Sequence, residues 1–144
     1  MEINGMAHVI LTVRDFAKAR SFYGELLPYL GLRPVVDGAE YFYCVGGRTA
    51  LGIRPAGPER AHEPFDQNRS GLHHLCFRAR SRDDVDSVHA LVARLGAKIV
   101  HPPREDGFAP GYYSVLFEDP DGIRLEANFV PGRGLLEPGA VRAP

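Results

Sequence analysis

Three short stretches of this chain put metal-ligating residues at positions of like parity. They are Ala7–Val13 (AHVILTV), Leu72–Ala79 (LHHLCFRA) and Ile123–Val130 (IRLEANFV). Side chains alternate along a strand, so residues of one parity share a face. The first stretch sets His8, Ile10 and Thr12 against Val9, Leu11 and Val13. The second sets His74, Cys76 and Arg78 against His73, Leu75 and Phe77, and the third sets Arg124, Glu126 and Asn128 against Ile123, Leu125 and Phe129. In each case one face is apolar enough to lie under a helix, and the opposite face carries His, His and Glu. Two imidazoles and one carboxylate on a half-open site suit a borderline divalent metal and leave positions for water or substrate oxygens.

Blander readings compete with this one. A lone histidine on a strand is more often structural than a ligand, but His8 and His74 stand at equivalent places in a repeat. His73 is the competitor to His74, although its parity is wrong relative to His8. His62, His89 and His101 fall in a linker, on a helix face and at a strand end, with no expected chemical role. Cys76 shares the face of His74, where a small buried hydrophobe is the simpler role. The segment Asp119-Pro-Asp-Gly122 is by itself a good turn.

The elements that would position these residues recur. After the first strand, Asp15 can cap a helix whose apolar positions run from Phe16 to Leu30, and Gly31 supplies its stop. Strand candidates follow at Arg33–Val36, Glu40–Val45 and Thr49–Ile53, separated by Asp37-Gly38 and Gly46-Gly47. Residues 55–71 break the pattern with prolines and glycines and read as a linker. The same order then returns. Ser81 with Asp84 forms a capping box, Val85, Val88, Leu91, Val92 and Leu95 form a helical stripe, and Gly96 ends it. Strands are expected at Lys98–His101, Tyr112–Phe117 and Ile123–Val130, with Pro102–Gly111 as a loop. Residues 131–144 read as a loosely held tail. The repeat of about 65 residues makes two halves, each marginal alone, that can share a core.

Composition bounds the function. In 144 residues, 44% are hydrophobic and 24% charged, an ordinary globular balance. Seventeen Lys and Arg against 18 Asp and Glu give a net charge of −1. That balance leaves no strong field for a nucleic acid or an anionic membrane. No apolar run approaches a membrane span, and Met1–Gly5 (MEING) lacks the basic and apolar regions of a signal peptide. Two cysteines, Cys44 and Cys76, are too few for a disulfide framework. The expectation is a cytoplasmic domain with a small-molecule substrate, no nucleic acid and no membrane.

Over roughly residues 6–130 the chain resembles the vicinal oxygen chelate superfamily, which includes glyoxalase I, bleomycin-resistance proteins, fosfomycin-resistance transferases, methylmalonyl-CoA epimerase and extradiol dioxygenases. The resemblance rests on His8-Val-Ile-Leu-Thr-Val-Arg-Asp15, Phe22-Tyr23 with Leu30-Gly31-Leu32, His74-Leu-Cys-Phe, and Asp119-Pro-Asp-Gly122 followed by Glu126. It implies an α+β fold of two βαβββ modules (6–54 and 72–130, joined by the linker 55–71) forming a cup-shaped mixed sheet. It also implies one divalent ion (Fe, Ni, Zn or Mn) held by His8, His74 and Glu126, with Glu126 also the catalytic group. Arg78, Arg124, Tyr112 and Tyr113 become candidate substrate contacts, Tyr41 and Tyr43 candidate walls, and the assembly a homodimer. The reaction stays open among lyase or isomerase, dioxygenase and transferase. The alternative is a metal-free small-molecule binder of the bleomycin-resistance kind.

Two departures from the family patterns narrow these expectations. Many metalloenzymes of the superfamily place a Glu or Gln on the last strand of module one. Aligning Gly47 with Gly122 puts Leu51 opposite Glu126, and no Glu or Gln occurs in Gly46–Pro55. Extradiol enzymes carry a His and a Tyr ahead of the D-P-x-G turn. The matching stretch Gly107–Leu116 has no His and has Leu116 where the Tyr would stand.

Overall fold

The computed structural model describes residues 1–136 and 138; the remainder of the expected tail lies outside the described residues. The chain divides into two compact units, one ending at Phe65 and the other beginning at Asp66.

The first unit contains β1 (His8–Val13), α1 (Phe16–Tyr29), β2 (Arg33–Asp37), β3 (Phe42–Gly46) and β4 (Thr49–Pro55), with sheet order β1-β4-β3-β2. Only the β1–β4 pairing is parallel. Asp15 caps α1 by accepting a hydrogen bond from the Lys18 amide at 2.9 Å. At the other end Gly31 takes φ +85°, and the Leu32 amide returns to the Leu27 carbonyl. The apolar face of the sheet (Leu11, Val13, Phe42, Cys44, Leu51, Ile53) is buried, as are Ala19, Phe22, Tyr23, Leu26 and Leu27 of α1. Each fully buried Val, Leu, Ile or Phe among them contributes about 1.5–3 kcal/mol.

The second unit repeats the plan with β5 (Leu75–Arg78), α2 (Arg82–Arg94), β6 (Lys98–Glu105), β7 (Tyr113–Glu118) and β8 (Arg124–Phe129), in sheet order β5-β8-β7-β6. Ser81 caps α2 through the Asp84 amide at 3.1 Å, while the Asp84 carboxylate reaches the amide of Arg80 rather than that of the cap itself. Gly96 takes φ +76° in the same terminating motif as Gly31. Val115, Phe117, Leu125 and Ala127 form the buried face of the sheet, and Val85, Val88, Leu91 and Val92 the buried face of α2.

Most strand ends fall within one or two residues of expectation; those of β5 and β6 depart further. β6 continues through Pro102 and Pro103 to Glu105, where a loop was expected. As an edge strand it has one side without ladder partners, and its register with β7 shifts twice, so the missing proline amides cost little. β5 is shorter than Leu72–Ala79, so His73 and His74 precede the ladder rather than lie within it. After β8 a single 3-10 turn spans Gly134–Leu136.

Candidate metal-binding site

The turn between β7 and β8 fixes the position of Glu126. Asp119, 5% exposed, accepts from the amides of Asp121 and Ile123, each at 2.8 Å, and Gly122 takes φ +87°. This closes the hairpin with Glu118 opposite Arg124, which puts Glu126 opposite Leu116 on one side and Cys76 on the other. Leu125 and Ala127 then face the core, and Glu126 faces away from it.

His74 and Glu126 come together there. Nε2 of His74 lies 3.2 Å from Oε2 of Glu126, and the Tyr112 hydroxyl donates to Oε1 at 2.6 Å. Glu126 is 8% exposed, so its carboxylate is desolvated and held from both sides. Burial and the bond to Glu126 raise the Tyr112 hydroxyl well above the usual phenol range, partly offset by a hydrogen bond with Asn128. The Cys76 thiol is pushed up to about 12, first by desolvation and then by the Glu126 charge. As the chain stands, both groups are therefore protonated near neutral pH. Cys76 is exposed rather than the buried hydrophobe expected of it.

The donor pair fits a divalent ion. Two ligands bound at about 2.1 Å stand about 3.0 Å apart at a right angle and about 3.4 Å apart at the tetrahedral angle. The observed 3.2 Å falls between these values. Oε1 is occupied by Tyr112, so Oε2 is the oxygen available beside the imidazole. Among the described residues no group of three or more His, Cys, Asp and Glu side chains is gathered as a metal cage.

His8 opens β1 in the first unit and is exposed, on the face of Ile10 and Thr12. Its ring stands edge-on to Tyr43 at 6.4 Å, and Tyr43 stacks with Tyr41 at 5.8 Å.

The expected substrate contacts separate by face. Tyr112 joins the Glu126 cluster. Tyr113 does not: its hydroxyl donates to Asp86 of α2 at 2.8 Å and the Arg82 guanidinium sits 4.9 Å from its ring centre, because the next residue along a strand points the other way. Arg124 shares the parity of Glu126, but its Nε is engaged by Glu118 at 3.5 Å. Arg78 is exposed and has no ion-pair partner among the described residues.

The strand register also revises the position of the absent fourth donor. Ile10 pairs with Gly52 in the β1–β4 ladder as Cys76 pairs with Glu126 in the β5–β8 ladder. Gly52, not Leu51, is thus the counterpart of Glu126, and Leu51 lies on the buried face at 2% exposure. Aligning the turn glycines was off by one because the β3–β4 turn is shorter than the β7–β8 turn, and a one-residue slip exchanges the faces. A Cβ at Gly52 would meet Tyr43 Cδ2 at 2.7 Å and Ile10 Cδ1 at 2.9 Å. The space for a donor there is filled by neighbouring side chains.

Sequence reasoning missed the link between His73 and His74, whose Nδ1 atoms lie 2.8 Å apart. Parity alone puts neighbouring residues on opposite faces, and that signal fails where the backbone leaves the strand.

Fold and site together define a repeated βαβββ protein with a His–carboxylate pair on the open side of a sheet. Residues 5–127 match the family model of the Glyoxalase/Bleomycin resistance protein/Dioxygenase superfamily, and the chain belongs to that family. Among curated proteins it is 31% identical to the uncharacterized protein YqjT of Bacillus subtilis over 123 residues, covering 84% of this chain and 95% of the relative. It is 27% identical to a 2,2',3-trihydroxybiphenyl dioxygenase of Sphingomonas paucimobilis, covering 88% of this chain but 42% of that protein. It is also 27% identical to the metallothiol transferase FosB of Shouchella clausii, covering 88% of this chain and 80% of the relative. The crystal structure of a glyoxylase/bleomycin resistance protein/dioxygenase domain from Frankia sp. EAN1pec superposes with a TM-score of 0.69 at 30% identity, covering 89% of this chain and 98% of that one. Among the described residues no helix is long and apolar enough to cross a membrane.

Proposed function

We propose that this chain is a metal-dependent enzyme that holds one divalent ion (Fe, Ni, Zn or Mn) through His74 and Glu126, with His8 as a third donor, and acts on a small substrate presenting two oxygens. The observation that carries the reading is the approach of His74 Nε2 and Glu126 Oε2 to 3.2 Å with the second carboxylate oxygen already bound by Tyr112. The ion would supply Lewis acidity for negative charge developing on substrate oxygens. Tyr112 holds the carboxylate in place, and Arg78, with its charge uncommitted, is the partner for an anionic end of the substrate.

Gly52 bears on the reaction type. The first unit carries no carboxylate at Gly52, its counterpart of Glu126, and Tyr43 and Ile10 fill the space there, so the chain lacks the second base that a proton shuttle uses. This favours dioxygenase or transferase chemistry over the proton-shuttling lyases and isomerases. A homodimer belongs to the same proposal, supported by exposed Val35 and Val36 on the edge strand β2. So does a cytoplasmic location, supported by the free thiols Cys44 and Cys76.

The test is elemental analysis and calorimetric metal titration of untagged protein, comparing wild type with His8→Ala, His74→Ala and Glu126→Gln. About one equivalent in the wild type, lost in the last two variants and weakened in the first, is the expected result. If no divalent ion binds the wild type, the metal-dependent reading fails and the open face is a metal-free binding surface of the bleomycin-resistance kind.

A further inference from the structure

Adjacent residues of an extended chain send their side chains to opposite sides. His73 and His74 lie just before β5, outside the ladder, and their rings instead meet edge to face at 79°, with centroids 5.1 Å apart and Nδ1 atoms 2.8 Å apart. At that distance one hydrogen must lie between the two nitrogens, so one Nδ1 donates and the other accepts. Which one donates depends on the far side of His74, because a neutral imidazole carries a single N–H.

With a Glu126 carboxylate oxygen 3.2 Å away, Nε2 of His74 is the nitrogen that carries the hydrogen, since a bare lone pair there would face a negative charge. Nδ1 of His74 is then an acceptor, and His73 donates to it. A cation on Nε2 would need the lone pair there. The hydrogen of His74 would then sit on Nδ1, and Nδ1 of His73 would have to accept it.

We propose that His73 is the positioning residue for His74, turning from hydrogen-bond donor to acceptor as Nε2 of His74 turns from an N–H beside Glu126 into a metal ligand. The inference rests on the metal-dependent reading above. The protons balance. The hydrogen on Nδ1 of His73 passes to Nδ1 of His74, the Nε2 hydrogen of His74 leaves to solvent, and solvent returns one to Nε2 of His73. Each ring keeps one N–H, and no net proton is released. The exposure of His73 gives its Nε2 the solvent access this requires. Metal-bound histidines generally need such a partner on the second ring nitrogen, and its loss weakens binding ten- to a hundredfold.

The experiment is long-range proton–nitrogen NMR on protein carrying nitrogen-15 histidine at pH 8, with and without Zn2+, together with zinc titrations of His73→Ala and His73→Asn. Without zinc, the hydrogens should sit on Nε2 of His74 and Nδ1 of His73; with zinc, on Nδ1 of His74 and Nε2 of His73. His73→Ala should weaken zinc binding ten- to a hundredfold, and His73→Asn, which restores an acceptor, should recover most of it. Zinc binding to wild type without the tautomer exchange, or equal affinity in His73→Ala, overturns the role of His73 and leaves the metal reading standing. No zinc uptake by wild type overturns both.

Discussion

Gly52→Ala tests whether the position equivalent to Glu126 in the first unit is closed by packing. The backbone at Gly52 lies outside the left-handed region, so alanine meets no conformational strain there. Its Cβ would lie 2.7 Å from Tyr43 Cδ2, 2.9 Å from Ile10 Cδ1 and 3.2 Å from the Phe42 carbonyl oxygen. The side chains must move and the carbonyl is fixed in the ladder, so overpacking costs about 1–3 kcal/mol. Loss of glycine's freedom in the unfolded chain returns about 0.4–1 kcal/mol. The net expectation is a destabilisation of about 1–2 kcal/mol, which lowers the urea midpoint by roughly 0.5–1 M at a typical slope. Circular dichroism is a suitable probe, as the chain has no tryptophan. Ile10→Val removes the Cδ1 contact, so the double variant should recover about 0.5 kcal/mol relative to additivity. An unchanged or raised midpoint for Gly52→Ala, at unchanged slope, would refute the argument: Tyr43 and Ile10 would then yield freely, and packing would not explain why this position holds no donor.

Other expectations follow from single contacts. Asp119→Ala leaves the buried amides of Asp121 and Ile123 without their side-chain acceptor and should cost about 2–4 kcal/mol by urea unfolding. Gly96→Ala forces a Cβ into φ +76° and should cost about 1 kcal/mol in the same assay. Arg20 binds Asp37 through two hydrogen bonds and holds its carboxyl below the usual range. The folded value is the depressed one, so this stabilisation is complete above the unfolded value of about 3.9 and disappears as pH falls through the folded value. The stability gap between wild type and Asp37→Asn should therefore close in that window, which unfolding midpoints measured from pH 2 to 6 would reveal.

Much of the fold can be read along the chain because its signals are local. Asp15 and Ser81 start the helices and Gly31 and Gly96 stop them, each through contacts within a few residues. Alternation assigned Glu126 to the open face and Leu125 and Ala127 to the core, because a half-buried strand must segregate its two sides. The prolines of β6 misled for an equally local reason. Proline argues against a strand, yet an edge position exempts it, and which strand forms the edge is not a local property.

By itself the sequence determined the repeat, the helix ends, the parity of His8 and Glu126, and the lack of a Glu or Gln in Gly46–Pro55. The tertiary structure decided the rest. Strand register placed Gly52, not Leu51, in the position equivalent to Glu126, since pairing across a ladder depends on turn lengths that composition does not encode. Tertiary packing supplied the partners of the two tyrosines, Asp86 of α2 for Tyr113 and Glu126 for Tyr112. Only the break before β5 brought His73 against His74, because side-chain alternation governs residues inside a ladder and not those at its threshold.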